Sequence, residues 1–483
     1  MKRLSFEGVM GDGAAEIGRA VDAARRFLDS TPQRDLLAQV GRTVESVPAA
    51  PHPDKRWFQK SFGRGSAASG YGEDLLVGRG LFYVAESRRL LLDCTAGHYQ
   101  MTWGYAHPEL QALAVEAMSR GIAWDNHSNI PSGPVKRLAA RLVEIAECGL
   151  RNADCRAGAL ALPNPQPEIP NPQLDTVLLG VCTGTAACAA ALKIALLHYA
   201  KAKGGKGTPV FVVLEGNYHG TDFLAQRLRG MWPELFTNVE VVAVEPNEPE
   251  GMERAFARCG ERVAAFWAEP IMMNREAILI EAAFLRVARR LCDQAGALMA
   301  IDEIQTGFWS PELMMFRRSG IVPDFVVLGK GMTAGFHPLS ALLYRGKLDC
   351  LAQYDAISTN GNAALAAVVG LGCIALIERE AERIGATGRR YHERMAGLCA
   401  EFPDLLAEAR GDGLLTGLKF RRREDALGFH RSAVERGLWV RAHAYHEGHS
   451  TVLTKFALPL DDEVAGFAAD SFRRLLQDAP WRR

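Results

Sequence analysis

From Asp175 onward the chain alternates short apolar runs with longer helical stretches. The runs are TVLLGVC (176–182), PVFVVLEG (209–216), VEVVAV (239–244), VAAFWAEP (263–270), ALMAIDEI (297–304), DFVVLGKG (324–331) and LSALLY (339–344). They are rich in Val, Leu, Ile and Phe and show no polar alternation. Strands covered on both faces read this way, so the pattern predicts a mostly parallel sheet inside an α/β domain. After about residue 365 the texture becomes helix-rich (364–380 and 383–401), with shorter strand candidates at LLTGLKF (414–420) and TVLTKFALP (451–459). That shift predicts a second, smaller C-terminal domain. The first fifty residues read as an amphipathic helix and a linker ending in Pro48-Ala-Ala-Pro51-His-Pro53, and 62–72 reads as loop. Segment 163–172 carries prolines at 163, 165, 167, 170 and 172. Proline suits neither a helix interior nor a central strand, so this segment is expected to be an exposed insertion. The expected boundaries are an N-terminal segment over 1–90, a large domain over 91–360 and a small domain over 361–483.

Composition narrows the function classes. The 483 residues are 48% hydrophobic and 23% charged, as in ordinary globular chains. Lys plus Arg and Asp plus Glu are each 56, so the net charge is zero. Such a chain has no general attraction for nucleic acid or an anionic membrane, and its partner is expected to be a small molecule. The N-terminus has an early Lys-Arg pair but no apolar core of a secretory signal, and no apolar run reaches membrane-spanning length. Ten cysteines lie scattered without a CxxC pair, which suits reduced thiols in the cytoplasm.

Chemistry-bearing residues gather where the runs end, the place at which open α/β sheets bind ligands. TVLLGVC leads into Thr183-Gly184-Thr185 and an alanine-rich helix over 186–200. Free N–H groups, a hydroxyl and the helix dipole there suit a phosphate, although Thr also caps many ordinary helices. ALMAIDEI ends in Asp302-Glu303, two acids that are costly to bury without a cation nearby. A metal, a protonated heterocycle or a plain helix cap would each account for them. Lys330 ends DFVVLGKG between Gly329 and Gly331. Desolvation there lowers an amine's pKa and frees it for Schiff-base chemistry, and the glycines let a planar adduct approach the backbone. FVVLEG runs into Asn217-Tyr218-His219-Gly220, an aromatic pair able to cover a ring. Glu269-Pro270 closes another run, and Ser358-Thr359-Asn360-Gly361-Asn362 offers a second phosphate contact. GGKG (204–207) lacks P-loop spacing, and RAHAYHEGHS (441–450) matches no zinc signature, so no metal is expected.

With these residues in order, the chain resembles the class III (omega-type, subgroup II) aminotransferases, pyridoxal-phosphate enzymes of fold type I. The likeness runs from about residue 78 to 460. It rests on IDEIQTGFW and GIVPDFVVLGKGMTAGFHPLSALL, with LLLDCTAGHYQMTWGYAHPEL, GTAA, EGNYHG, AEP, STNGN and ARGDGLLTGLKF in support. The resemblance implies a large domain with a mostly parallel central sheet plus a smaller α+β domain. It implies that Lys330 holds pyridoxal 5'-phosphate as a Schiff base and shuttles the proton, and that Asp302 pairs with the pyridinium nitrogen. Gly184 and Thr185 would hold the phosphate, Tyr218 and His219 would lie against the ring, and Gln305 would sit near the ring hydroxyl. Thr359 would reach the phosphate of the neighbouring subunit, making a homodimer with sites at its interface. Glu269 stands where the family often keeps a glutamate that engages a switching arginine.

Three departures stand out. Ala186 and Ala189 replace glutamates of the phosphate turn, Lys455 replaces an arginine that grips a substrate carboxylate, and IMMNREAI brings Arg275, a candidate new anion ligand. Lysine lacks arginine's bidentate fork, which puts the usual oxo diacid in question. The expected reaction is transfer of an amino group from a small primary amine or amino acid to an oxo acid. The alternative is a lyase of the same fold that eliminates ammonia, phosphate or water from a small amino alcohol derivative, of amino-phosphonate or phosphoamine type.

Overall fold

All seven apolar runs become neighbouring strands of one sheet. A computed structural model describes residues 13–52, 73–123, 130–151, 174–202, 207–235, 237–443 and 448–482, with the isolated positions 5, 8, 9, 11 and 204. The proline-rich segment 163–172 and the loop 62–72 lie outside the described residues. The strands in chain order are β1 (Leu75–Arg79), β2 (Phe82–Ala85), β3 (Leu90–Asp93), β4 (Thr176–Val181), β5 (Val210–Leu214), β6 (Glu240–Val244), β7 (Val263–Ala268), β8 (Ile271–Met272) and β9 (Ile278–Leu279). They continue with β10 (Leu298–Asp302), β11 (Phe325–Leu328), β12 (Ser340–Tyr344), β13 (Leu406–Asp412), β14 (Leu415–Phe420), β15 (Leu438–Trp439), β16 (Arg441–His443) and β17 (Thr451–Lys455).

The large sheet has the order β4-β12-β11-β10-β7-β5-β6. β5, β6, β7, β10 and β11 pair in parallel, while β12 runs antiparallel to both β11 and β4. Six strands therefore point one way and β12 alone is reversed, as a mostly parallel fold type I sheet requires. The missing polar alternation has a direct cause. Phe211, Val213, Trp267, Ala300 and Val327 face the helix Gly184–Ala202, whereas Val212, Phe266, Met299, Ile301 and Val326 join the main core with helices Ala282–Ala295 and Ala364–Arg379. With both faces covered, every position gains from being apolar.

Around this sheet lie two smaller ones. β1, β2 and β3 form an antiparallel meander that β15 extends in parallel, so residues 438–439 return to strands at the other end of the chain. β13, β14, β17 and β16 form an antiparallel sheet, and β8 and β9 form a hairpin. The N-terminus departs from the expected single helix and linker. Pro32 starts a second helix (Gln33–Gln39) directly after the first (Ala14–Ser30), because proline stops one helix yet suits the entry of the next. Among the described residues no helix is long and apolar enough to cross a membrane, and eight of the cysteines are seen to form no disulfide.

Candidate active site

Because β4, β5, β7, β10 and β11 share one direction, their C-terminal ends open on the same edge of the sheet. A cavity of about 500 Å³ lies there, lined by Thr183, Gly184 and Thr185 after β4, Tyr218, His219 and Gly220 after β5, Ile304 and Gln305 after β10, and Lys330 after β11. Gln100, Thr333 and His337, which the sequence did not single out, also line it.

Lys330 opens a short 3-10 turn with φ 31°, a conformation costly for a side-chain-bearing residue. Such strain is held only where the surroundings over-determine it. Burial pulls the lysine amine below its ordinary pKa, against the opposing pull of Asp302 and Glu269. Asp302 ends β10 and is 3% exposed. Its Oδ1 accepts the Ile304 N–H at 2.9 Å, and its Oδ2 faces His219 Nδ1 at 2.7 Å and the Cys188 thiol at 3.5 Å. A carboxylate offers about four lone-pair sites, so three donors leave Asp302 room for a further N–H. Cys188 was legible in principle: it stands four residues after Gly184, one turn along the same helix face.

Each remaining candidate takes a definite position. His219, held by Asp302 and 5.7 Å from the Trp267 ring, leaves its buried Nε2 without a partner among the described residues. Gln305 donates from Nε2 to Asn274 Oδ1 at 3.0 Å and keeps a buried, unpartnered Oε1. Tyr218 carries the Arg229 guanidinium 5.3 Å from its ring centre. Glu269 does not line the cavity. It accepts the Tyr218 N–H at 3.0 Å, and burial, then the charge of Asp302, pushes its carboxyl well above the usual range. Thr359 is exposed on a loop outside this chain's cavity, next to Ser358, whose N–H donates to Gly180 O at 2.7 Å.

Two departures resolve further. Arg275 is not a free anion ligand: it pairs with Glu245 at 2.7 Å and donates to Glu215 O at 2.6 Å. Lys455 is wholly buried, donates to Gln305 O at 2.5 Å and sits 3.7 Å over the Trp309 ring. Glu303 is no metal ligand in waiting either, since its carboxylate accepts from Thr306 and from Phe316 N–H. Among the described residues no group of acids, His and Cys could hold a metal.

The donor set fits pyridoxal phosphate. The helix Gly184–Ala202 points its N-terminus at the cavity, where the first N–H groups have no partner inside the helix. A carboxylate and an amine stand on neighbouring strands, and two buried polar atoms, His219 Nε2 and Gln305 Oε1, face no described partner. Gly220 (φ 125°) leaves room only for hydrogen, because a Cβ there would meet Thr185 Oγ1 at 2.4 Å.

Residues 75–474 match the family described as Aminotransferase class-III. An ornithine aminotransferase of Emericella nidulans is 30% identical over 261 residues, covering 50% of this chain and 56% of the relative. This chain thus spans little more than half the length of that relative in the match. An acetylornithine aminotransferase of Xylella fastidiosa is 29% identical over 71% of this chain and 78% of its own. Among solved structures, the ornithine aminotransferase of Toxoplasma gondii superposes with a TM-score of 0.73 over 96% of this chain and 99% of its own, at 20% identity.

Proposed function

We propose that this chain, which belongs to the class III aminotransferases, transfers an amino group from a small primary amine or amino acid to an oxo acid with the pyridoxal phosphate of that family. The observation that carries the reading is the meeting of Lys330 and Asp302, from the ends of neighbouring strands, in a cavity that also receives a helix N-terminus. When bound, pyridoxal phosphate supplies an electron sink for the bond broken at the amino-bearing carbon.

The chain's own groups then have separable tasks. The Gly184 and Thr185 end of the helix binds the phosphate through N–H groups and the dipole. Asp302 holds a proton on the ring nitrogen, and His219 and Cys188 keep its carboxylate oriented from behind. Tyr218 covers the ring, with Glu269 fixing its backbone, while Gln305 offers Oε1 toward the ring hydroxyl. Lys330 Nζ moves the proton at the amino-bearing carbon. Its lowered pKa leaves more free amine at neutral pH than an ordinary lysine has, which suits a general base. The exposure of Thr359 outside this cavity supports a contact with the partner subunit's phosphate in a homodimer. Eight cysteines outside any disulfide support a reducing, cytoplasmic setting. Relatives named for ornithine and acetylornithine favour transfer, and no observation favours elimination.

The test is an absorbance record of the holoenzyme with amine added and no oxo acid. One equivalent of carbonyl product per site, followed by a halt that an oxo acid relieves, supports transfer. Continuous release of ammonia or phosphate overturns it.

A further inference from the structure

Three contacts converge on Gln305 and its turn, each from a different part of the fold. At the backbone, Asp302 Oδ1 of β10 accepts the neighbouring Ile304 N–H at 2.9 Å, and Lys455 of β17 donates to the Gln305 carbonyl at 2.5 Å. At the side chain, Nε2 donates to Asn274 Oδ1 at 3.0 Å. The backbone contacts fix where the side chain starts but not how its amide turns. The last torsion of a glutamine is broad and roughly two-fold, and the two ends of an amide have opposite hydrogen-bonding sense. Asn274 removes that freedom. An acceptor at 274 draws Nε2 to itself and leaves Oε1 for the cavity that Gln305 lines, whereas a donor at 274 would reverse both. The structure has the first arrangement, with Oε1 buried and without a partner among the described residues.

Asn274 is itself held from both sides. It stands in the turn of the β8–β9 hairpin, where Glu276 and Ala277 have φ of 61 and 58°. Positive φ at two consecutive side-chain-bearing residues is costly and persists only where the surroundings over-determine it. Here they do. On one side, Arg275 pairs with Glu245 and donates to Glu215 O, which ties the turn to the ends of β6 and β5 in the large sheet. On the other, Glu276 accepts from Lys419 of β14 and Thr451 of β17, and the Asn274 carbonyl meets His443 Nδ1 of β16 at 3.3 Å. The turn therefore bridges the large sheet and the small one, and Asn274 is the side chain it lends to a cavity-lining residue.

We infer that Asn274 is a positioning residue: it holds the Gln305 amide with its carbonyl end toward the ring hydroxyl of pyridoxal phosphate, so that the hydroxyl meets an acceptor rather than a donor. The inference rests on the aminotransferase reading and adds a residue to it. An acceptor beside that oxygen favours the form of the bound cofactor that carries the proton, and a donor favours the form that has lost it. The turn of one amide thus helps to set the pH at which the loaded site gives up that proton.

The test is a pH titration of holoenzyme absorbance. Asn274→Ala is expected to lower the spectral midpoint by about 0.5–1 pH unit, the worth of one hydrogen bond to the proton-bearing form. Asp302, Glu269, His219, Lys330 and Lys455 are the same in wild type and variant, so their charges cancel in the difference. The affinity for pyridoxal phosphate, titrated into cofactor-free protein, is expected to fall about three- to tenfold. A second background separates positioning from mere structural support. In Gln305→Ala, adding Asn274→Ala is expected to move neither reading, because Asn274 acts through Gln305. An unchanged midpoint in Asn274→Ala overturns the inference, and so does a further shift in the double variant. A raised midpoint overturns it in favour of Nε2 facing the ring. Should Asn274→Ala not fold, Asn274→Leu, which removes the acceptor but fills the space, carries the same expectations. A wild type that takes up no cofactor overturns the inference and the aminotransferase reading together. One that takes it up but shows no amine-driven spectral change refutes transfer alone, and the midpoints still judge Asn274.

Discussion

Asp302→Asn separates what the buried carboxylate does for the fold from what it does for chemistry. The carboxylate accepts from Ile304 N–H, His219 and the Cys188 thiol. An amide keeps one oxygen, enough for Ile304, and turns an N–H₂ toward His219. That need not leave two donors face to face. His219 Nε2 has no described partner, so its proton can move there and Nδ1 can accept from the amide. Two hydrogen bonds survive in neutral form and the weak thiol bond is lost, a stability cost of about 2 kcal/mol. In a chain of this size that lowers Tm by a few degrees at most. The reaction suffers more. An amide carries no charge to hold the ring nitrogen protonated, and loss of a preorganised electrostatic partner costs about 3–4 kcal/mol, or roughly 10²–10³-fold in rate. The assay pairs a single-turnover half-reaction, followed by cofactor absorbance, with a thermal melt. A rate within a few-fold of wild type refutes Asp302 as the ring-nitrogen partner, and a collapsed melt refutes the tautomer argument.

Lys330→Ala is expected to keep the fold and abolish turnover in a steady-state assay, and normal turnover there removes the lysine from its role. Lys455 and Glu269 are expected to give opposite pH slopes in melts of cofactor-free protein. Burial lowers the Lys455 pKa, so the unfolded chain binds more protons and wild-type stability rises with pH toward the ordinary lysine range. Burial raises the Glu269 pKa, so the folded chain holds the extra proton and stability falls as pH climbs above the ordinary carboxylate value. The wild-type advantage should therefore grow with pH over Lys455→Met and shrink over Glu269→Gln, and flat differences refute both assignments. Glu276, 5% exposed, accepts from Lys419 at 2.7 Å, Ser450 N–H at 2.6 Å and Thr451 at 2.8 Å. Glu276→Ala leaves Lys419 and Arg410 without their shared acid and should cost about 3–5 kcal/mol in denaturant unfolding, whereas a loss below about 1 kcal/mol contradicts the network.

Along the chain, each strand of the large sheet was legible because burial on both faces selects unbroken apolar runs, and several residues that line the cavity were legible because they follow those runs directly. The meander β1–β3 was not: its strands are as short as those of the large sheet but stand outside the alternation of apolar runs and helical stretches that begins at Asp175. Nor was the return of β15 to β3, a pairing across more than three hundred residues that no local pattern encodes.

The sequence alone determined the residue types at the strand ends, Lys330, Asp302, Gly184 and Tyr218, and hence the cofactor class. Those choices follow from local chemistry: an amine, an acid and a helix start each need only their own run and turn. The tertiary structure decided which charges stay unpaired. Arg275 looked available and is bound to Glu245, while Arg441, in a stretch that matches no zinc signature, meets the His98 ring and forms no ion pair among the described residues. Charge pairing depends on distances between segments far apart in the chain, and only the packed fold sets those.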